Sequence, residues 1–232
     1  MRQVKKVLSI ICSVLMLHQQ LAFGLPQGEQ VVEGSATFEK SADGSTLNVT
    51  ASANSIVNYD SFNIGQNETV NFILPSLDSF SLNRVLGSGT SSILGSLNEN
   101  GRLILINADG FHFGSTAMVN VGGLVASTLD LSNANFLAGN YLFAGVDNLT
   151  AHTSSILNEG MIQTADKGMA ILLADAVENR GTIRAPLGTV ALAGGDEISV
   201  GMGRGEGRTL LAFLHDGERR VTDHQRHGGG LP

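Results

Sequence analysis

A chain of 232 residues with a formal charge of −7, aromatics at 5% and no tryptophan has room for one sizeable core, built from aliphatic side chains. Its acidity and the lack of a basic stripe argue against a nucleic-acid partner, whose phosphates would repel it, and against docking on anionic lipid headgroups. Glycine, at 29 residues, exceeds the average of about 7% without the period of collagen, so it is available for corners.

Residues 1–24 read as a signal peptide. Arg2, Lys5 and Lys6 form a basic start, residues 7–17 are apolar, and Ala22-Phe23-Gly24 offers small residues for cleavage. Eleven residues are too few for a spanning helix, which needs about 20. Cys12 lies inside the apolar run without the small residue that precedes a lipid-modified cysteine. Cleavage would remove the three cations, taking the charge from −7 to −10, and the one cysteine. A chain without thiols cannot form disulfides in an oxidising periplasm that would jam a pore, although many exported proteins simply lack cysteine.

Residues 25–200 read as one β domain. Residues 36–39 and 46–50 flank Asp43-Gly44, a pair suited to a hairpin turn. Residues 56–59 and 62–64 are further short strands, and these N-terminal strands are expected to cover the open edge of whatever sheet follows. Apolar runs at 93–94, 103–106 and 119–125 are separated by Asn- and Gly-rich corners and lack a helical period. This is the pattern of a chain wound into stacked coils.

A repeat supports that reading. Asn158-Glu159-Gly160-Met161-Ile162 recurs 21 residues on as Asn179-Arg180-Gly181-Thr182-Ile183, and residues 168–173 recur 20 residues on at 188–193. A period near 20 fits one coil of a β-solenoid. Stacking then places Ile162 against Ile183 in the interior and Asn158 against Asn179 at a corner. Two unrelated hairpins sharing turn chemistry would show no such alignment. Residues 201–232 break the pattern and hold five of the fourteen Lys/Arg and three of the six His. They are expected to be a polar tail or cap, or a truncated or frame-shifted end, with a short helix over 209–216.

No catalytic, cofactor or metal motif is present. Residues 201–207 alternate glycine without the strand-to-helix setting of a phosphate loop, and neither H-E-x-x-H nor paired cysteines occur. His112, between Phe111 and Phe113, should point away from both, onto the surface or a corner. His224 and His227 suit adventitious metal binding at most. A polysaccharide-lyase site would need converging carboxylates and cations. Arg84, Arg102, Asp109 and Asp130 lie near the central motif, but Lys167 is the only cation between Arg102 and Arg180. The chain is therefore expected not to be an enzyme.

Ser91-Ser92-Ile93-Leu94-Gly95, Asn100-Gly101-Arg102, residues 107–114 and Val121-Gly122-Gly123-Leu124-Val125-Ala126-Ser127-Thr128-Leu129 resemble the secretion domain of filamentous-haemagglutinin-like exoproteins of two-partner secretion. Residues 58–65 (Asn58, Phe62 and Asn63 among them) and Leu82-Asn83-Arg84-Val85 fit as well. The resemblance implies a right-handed parallel β-helix with an N-terminal β cap and small extra-helical strands. It implies a dedicated outer-membrane transporter as partner, acting through its periplasmic domains, and export to the cell surface or medium of a Gram-negative bacterium. It also implies that members continue with more repeats, through which a longer parent would bind host or bacterial cell surfaces.

Asn107, Asp109 and Gly110 are the foremost candidate site residues, and the resemblance adds Asn58, Phe62 and Asn63 as transporter-recognition or folding positions. Turn chemistry alone would account for the first three. The family usually has Asn-Pro-Asn-Gly where this chain has Asn107-Ala108-Asp109-Gly110. Loss of proline leaves the corner possible but less pre-organised. The alternative function is a self-contained adhesin module binding cells or carbohydrate. Such a module would bind cells when purified, whereas a secretion module would engage only the transporter.

Overall fold

The computed structural model describes residues 24–145, 154–195, 197–202 and 209–213. The signal-peptide reading therefore falls outside the described residues, apart from Gly24. The chain winds as a right-handed parallel β-helix of about six turns. Its N-terminal end is closed by two antiparallel strands, β1 (Gln30–Glu33) and β2 (Ala36–Lys40). They pair with β4 (Ser55–Tyr59) and β3 (Thr46–Ala51) respectively, and so cover the edge of the first coil. Asp43 fixes the β2–β3 turn by accepting from the Ser41 and Ser45 hydroxyls.

Three parallel faces follow. The first stacks β3, β5 (Thr69–Ile73), the start of β8 (Ser96–Asn107), the start of β10 (Met118–Ser127), β13 (Met161–Thr164) and β16 (Thr182–Arg184). The second stacks β4, β6 (Phe80–Val85), the remainders of β8 and β10, β14 (Met169–Leu173) and β17 (Thr189–Ala193). The third stacks β7 (Ser91–Ile93), β9 (Phe111–Phe113), β12 (Ser155–Asn158) and β15 (Ala176–Asn179).

Stacking repeats the same chemistry at each level. Leu47, Val70, Leu97, Val119, Ile162 and Ile183 share one register column, and all but the last are fully buried. One residue further along the first four of these strands, the outward Asn48, Asn71, Asn98 and Asn120 form an amide ladder, with N–H···O distances of 2.9, 2.9 and 3.3 Å. The expected alignments hold: Ile162 lies beside Ile183, and Asn158 Nδ2 donates to Asn179 Oδ1 at 2.7 Å.

A second apolar cluster lies outside the coils. Ile56, Leu82, Ile104, Ile106, Val125, Ile171 and Leu173 point outward from the second face, under a cover that includes Leu131, Phe136, Phe143, Ile198 and Val200. The cover consists of α1 (Asn133–Ala138) and a small antiparallel sheet of β11 (Leu142–Ala144), β18 (Glu197–Met202) and β19 (Thr209–Phe213). Burial on both sides explains why residues 103–106 are continuously apolar and do not alternate.

Four expectations are corrected. Residues 46–50 and 56–59 are coil strands, and only β1 and β2 cap them. Residues 62–64 form no strand; Ile64 makes a single bridge to Ile93. The corner expected between the runs at 93–94 and 103–106 lies largely inside β8, because that strand bends at Gly101 and pairs on both sides of the bend, as β10 does at Gly122 within the expected run 119–125. The expected helix at 209–216 is, over Thr209–Phe213, the strand β19. Helix α1 was not anticipated, although Ser132 as its N-cap and Gly139 as its C-cap, with φ 70°, were signals for it.

Candidate functional site

The corner at residues 107–110 is a hydrogen-bonded lock between two coils. Asn107 is 1% exposed and every part of its amide is used. Its Oδ1 accepts from Asp109 N at 2.9 Å, and its Nδ2 donates to Gly89 O at 3.0 Å and Ser91 Oγ at 2.9 Å. Gly110 N donates to Asn107 O at 2.9 Å, closing the turn. The Asp109 carboxylate accepts from Gly89 N, and Thr90 Oγ1 donates to Asp109 O at 2.9 Å.

Asn63 reaches the same segment from the preceding coil, its Oδ1 accepting from Ser92 N at 2.8 Å. Residues 89–92 are thus held from one side by Asn63 and from the other by Asn107, Asp109 and Gly110. Gly110 has φ 91°, and a Cβ there would lie 2.2 Å from Ser155 O, so two separate constraints demand glycine.

Asn58 and Phe62 lie apart from this lock. Asn58 Oδ1 accepts from Arg84 at 3.2 Å. Arg84 also donates to Asp130 Oδ1 at 2.7 Å, Leu131 O at 2.7 Å and Asn133 Oδ1 at 3.2 Å, tying the coils to the segment that begins α1. Phe62 is buried, edge-on to Tyr59 with centroids 5.3 Å apart and stacked on Phe72 at 6.3 Å. The sequence reading missed Arg84 as a hub, because its partners lie up to 49 residues away.

Other charged groups serve pairing. His112 points away from the buried Phe111 and Phe113, and its Nε2 lies 3.0 Å from Glu159 Oε2. Arg180 completes the surface row, 3.5 Å from Glu159 and 2.7 Å from Glu178. The His112 hydrogen bond, helped by Arg180, holds the Glu159 carboxyl below the ordinary carboxylate range. Arg102 pairs with Asp78 at 3.1 Å and lies over the Phe80 ring. Both arginines near the central motif are thus already paired with acids. Among the described residues no group of three or more His, Cys, Asp or Glu could hold a metal ion, and no helix is long and apolar enough to cross a membrane.

The lock geometry gives one prediction at Ala108. As the second residue of a turn closed by Gly110 N, it is placed where proline pre-sets φ. Ala108→Pro is expected to stabilise the domain by about 0.4–1 kcal/mol through the unfolded chain. Urea unfolding checks this, and a lowered midpoint would count against the turn assignment.

The sequence model of the family described as the TPS secretion domain matches residues 22–222. Two heme/hemopexin-binding proteins of Haemophilus influenzae are similar to the chain. One is 34% identical over 165 residues, covering 69% of this chain and 18% of the relative; the other is 36% identical over 119 residues, covering 51% and 13%. The crystal structure of the HMW1 secretion domain from Haemophilus influenzae superposes with a TM-score of 0.75 at 32% identity, covering 81% of this chain and 49% of that one. The chain therefore spans less than a fifth of the length of these curated relatives.

Proposed function

The chain belongs to the TPS secretion domain family, and from that premise we propose that it directs an exoprotein to a dedicated outer-membrane transporter. The observation that carries the reading is the family match across residues 22–222. In this proposal a signal peptide takes the chain into the periplasm, where the transporter's periplasmic domains bind it in extended form. Backbone hydrogen bonds to an added strand would supply affinity, and alternate side chains register.

The fold suits export with the amino-terminal end leading. The cap of β1 and β2 and the first coil are complete before later residues are needed, and each further coil buries its apolar row on the one before. Docked coils oppose backsliding, so no nucleotide hydrolysis is required. Asn107 offers no free polar group once folded, so any transporter contact with it belongs to the unfolded chain. Its role in the folded chain, with Asn63, Asp109 and Gly110, is to close a coil. The domain itself works without catalysis, cofactor or nucleic acid, and surface binding by a longer parent would lie in other regions.

The test is secretion of the chain in a Gram-negative host with and without its transporter, scored in medium against periplasm. The expected result is release to the medium only with the transporter. Equal distribution in the two strains would overturn the proposal, and binding of the purified chain to cells would favour an adhesin.

A further inference from the structure

Inside the coils lies a carboxyl group that no cation among the described residues answers. Glu99 follows the inward Leu97 by two residues on β8, so strand alternation turns it into the core, where it is 5% exposed. Its strand neighbours in register are Phe72 on β5 and Val121 on β10.

A relay of hydrogen bonds ends on it. Tyr59 OH donates to Asn83 Oδ1 at 3.2 Å, Asn83 Nδ2 to Ser81 Oγ at 3.0 Å, and Ser81 Oγ to Glu99 Oε1 at 3.1 Å. Glu99 Oε2 is buried without a partner among the described residues. The titratable group facing it from β4 is Tyr59; β5, β6 and β10 contribute Phe72, Ser81 with Asn83, and Val121. Arg102 on its own strand is engaged with Asp78, and Arg84 on β6 with Asp130.

We propose that the solenoid folds by taking up one proton on Glu99, so that coil closure is favoured in mildly acid medium and restrained as the medium becomes neutral. An ionised carboxylate at this place would lose its hydration and gain one hydrogen bond, whereas the neutral acid costs far less to bury. Burial accordingly pushes the Glu99 carboxyl well above the ordinary range, against a smaller lowering by the Ser81 hydrogen bond.

The sign follows from this upward direction. Below the unfolded value, near 4.5, Glu99 is protonated in both states and favours neither. As pH rises above it, the unfolded chain releases the proton and the folded chain keeps it. The folding equilibrium then falls about tenfold per pH unit until the folded carboxyl also ionises. Given the secretion function proposed above, this restrains folding of an extended chain at neutral pH before export.

The experiment is urea unfolding of the purified full chain from pH 4.5 to 9, beside Glu99→Gln, which keeps an acceptor for Ser81 but cannot ionise. The expected result is that the ratio of the two folding constants changes about tenfold per pH unit over part of this range, in favour of glutamine as pH rises. Parallel curves would overturn the proposal. If Glu99→Gln fails to fold, infrared spectroscopy of the folded wild-type chain, titrated upward from pH 4.5 and read above the ordinary carboxylate range, decides. A neutral-carboxyl band is expected, and its absence would overturn the inference. Neither readout involves the transporter, so failure here is distinct from failure of secretion.

Discussion

Replacing Gly110 with valine is expected to destabilise the domain by about 4 kcal/mol, combining the strain of a β-branched residue at positive φ with overpacking. The backbone there has φ 91°, and the new Cβ would lie 2.2 Å from Ser155 O of the next coil. Ser155 opens β12, which pairs with β9, so the clash falls on the parallel ladder of the third face. The turn cannot relax by moving away, because Asn107 and Asp109 are bonded to residues 89–91 of the preceding coil. Urea unfolding should show the loss, and the secreted fraction should fall several-fold if coil closure drives export. Unchanged stability would refute the corner argument. Ala108→Pro, two residues away, should act in the opposite direction.

The repeating parts of this fold were legible because stacking repeats residues. Ile162 and Ile183 share one register column and Asn158 and Asn179 another, and the matching pentapeptides reveal both. The bend at Gly101 was not legible as strand interior. An Asn-Gly or Gly-Gly pair marks a chain reversal and a bend that keeps its ladder equally well. The second apolar cluster was hidden for another reason: the continuous run at 103–106 signals burial on both sides, but the residues that cover its outer side, Leu131 and Phe136 among them, lie further along the chain in no repeating pattern. Glu99 was within reach, since it shares the parity of Leu97, but neighbouring Asn98 and Asn100 made the segment read as a solvated corner. At the candidate site, Asn107, Asp109 and Gly110 lie together as local turn chemistry dictates. The meeting of Asn63 with their target segment depends on coil stacking across 29 residues.

The glycine excess yields the last expected result. At the corner between the first and second faces, Gly101, Gly122, Gly168 and Gly188 rise in a column. A Cβ on Gly122 would lie 2.3 Å from Gly101 O, one on Gly168 2.3 Å from Gly122 O, and one on Gly188 2.0 Å from Gly168 O. These obstacles are backbone atoms in a ladder and cannot swing aside. Gly122→Ala is therefore expected to cost about 3 kcal/mol, through displacement of one coil against the next. Gly114→Ala provides the contrast. Its new methyl would meet Leu94 Cδ2 at 2.6 Å, the end of a flexible side chain, so its effect should stay within about 1 kcal/mol of zero. Urea midpoints of the two variants check the ranking, and equal losses would show that coil spacing is not what selects glycine. Secretion of the same pair separates two parts of the proposed mechanism. If Gly122→Ala is unstable and poorly secreted while Gly114→Ala is neither, docking of coils contributes to export. If the unstable variant reaches the medium in full, capture of the extended chain by the transporter is sufficient, and folding only follows.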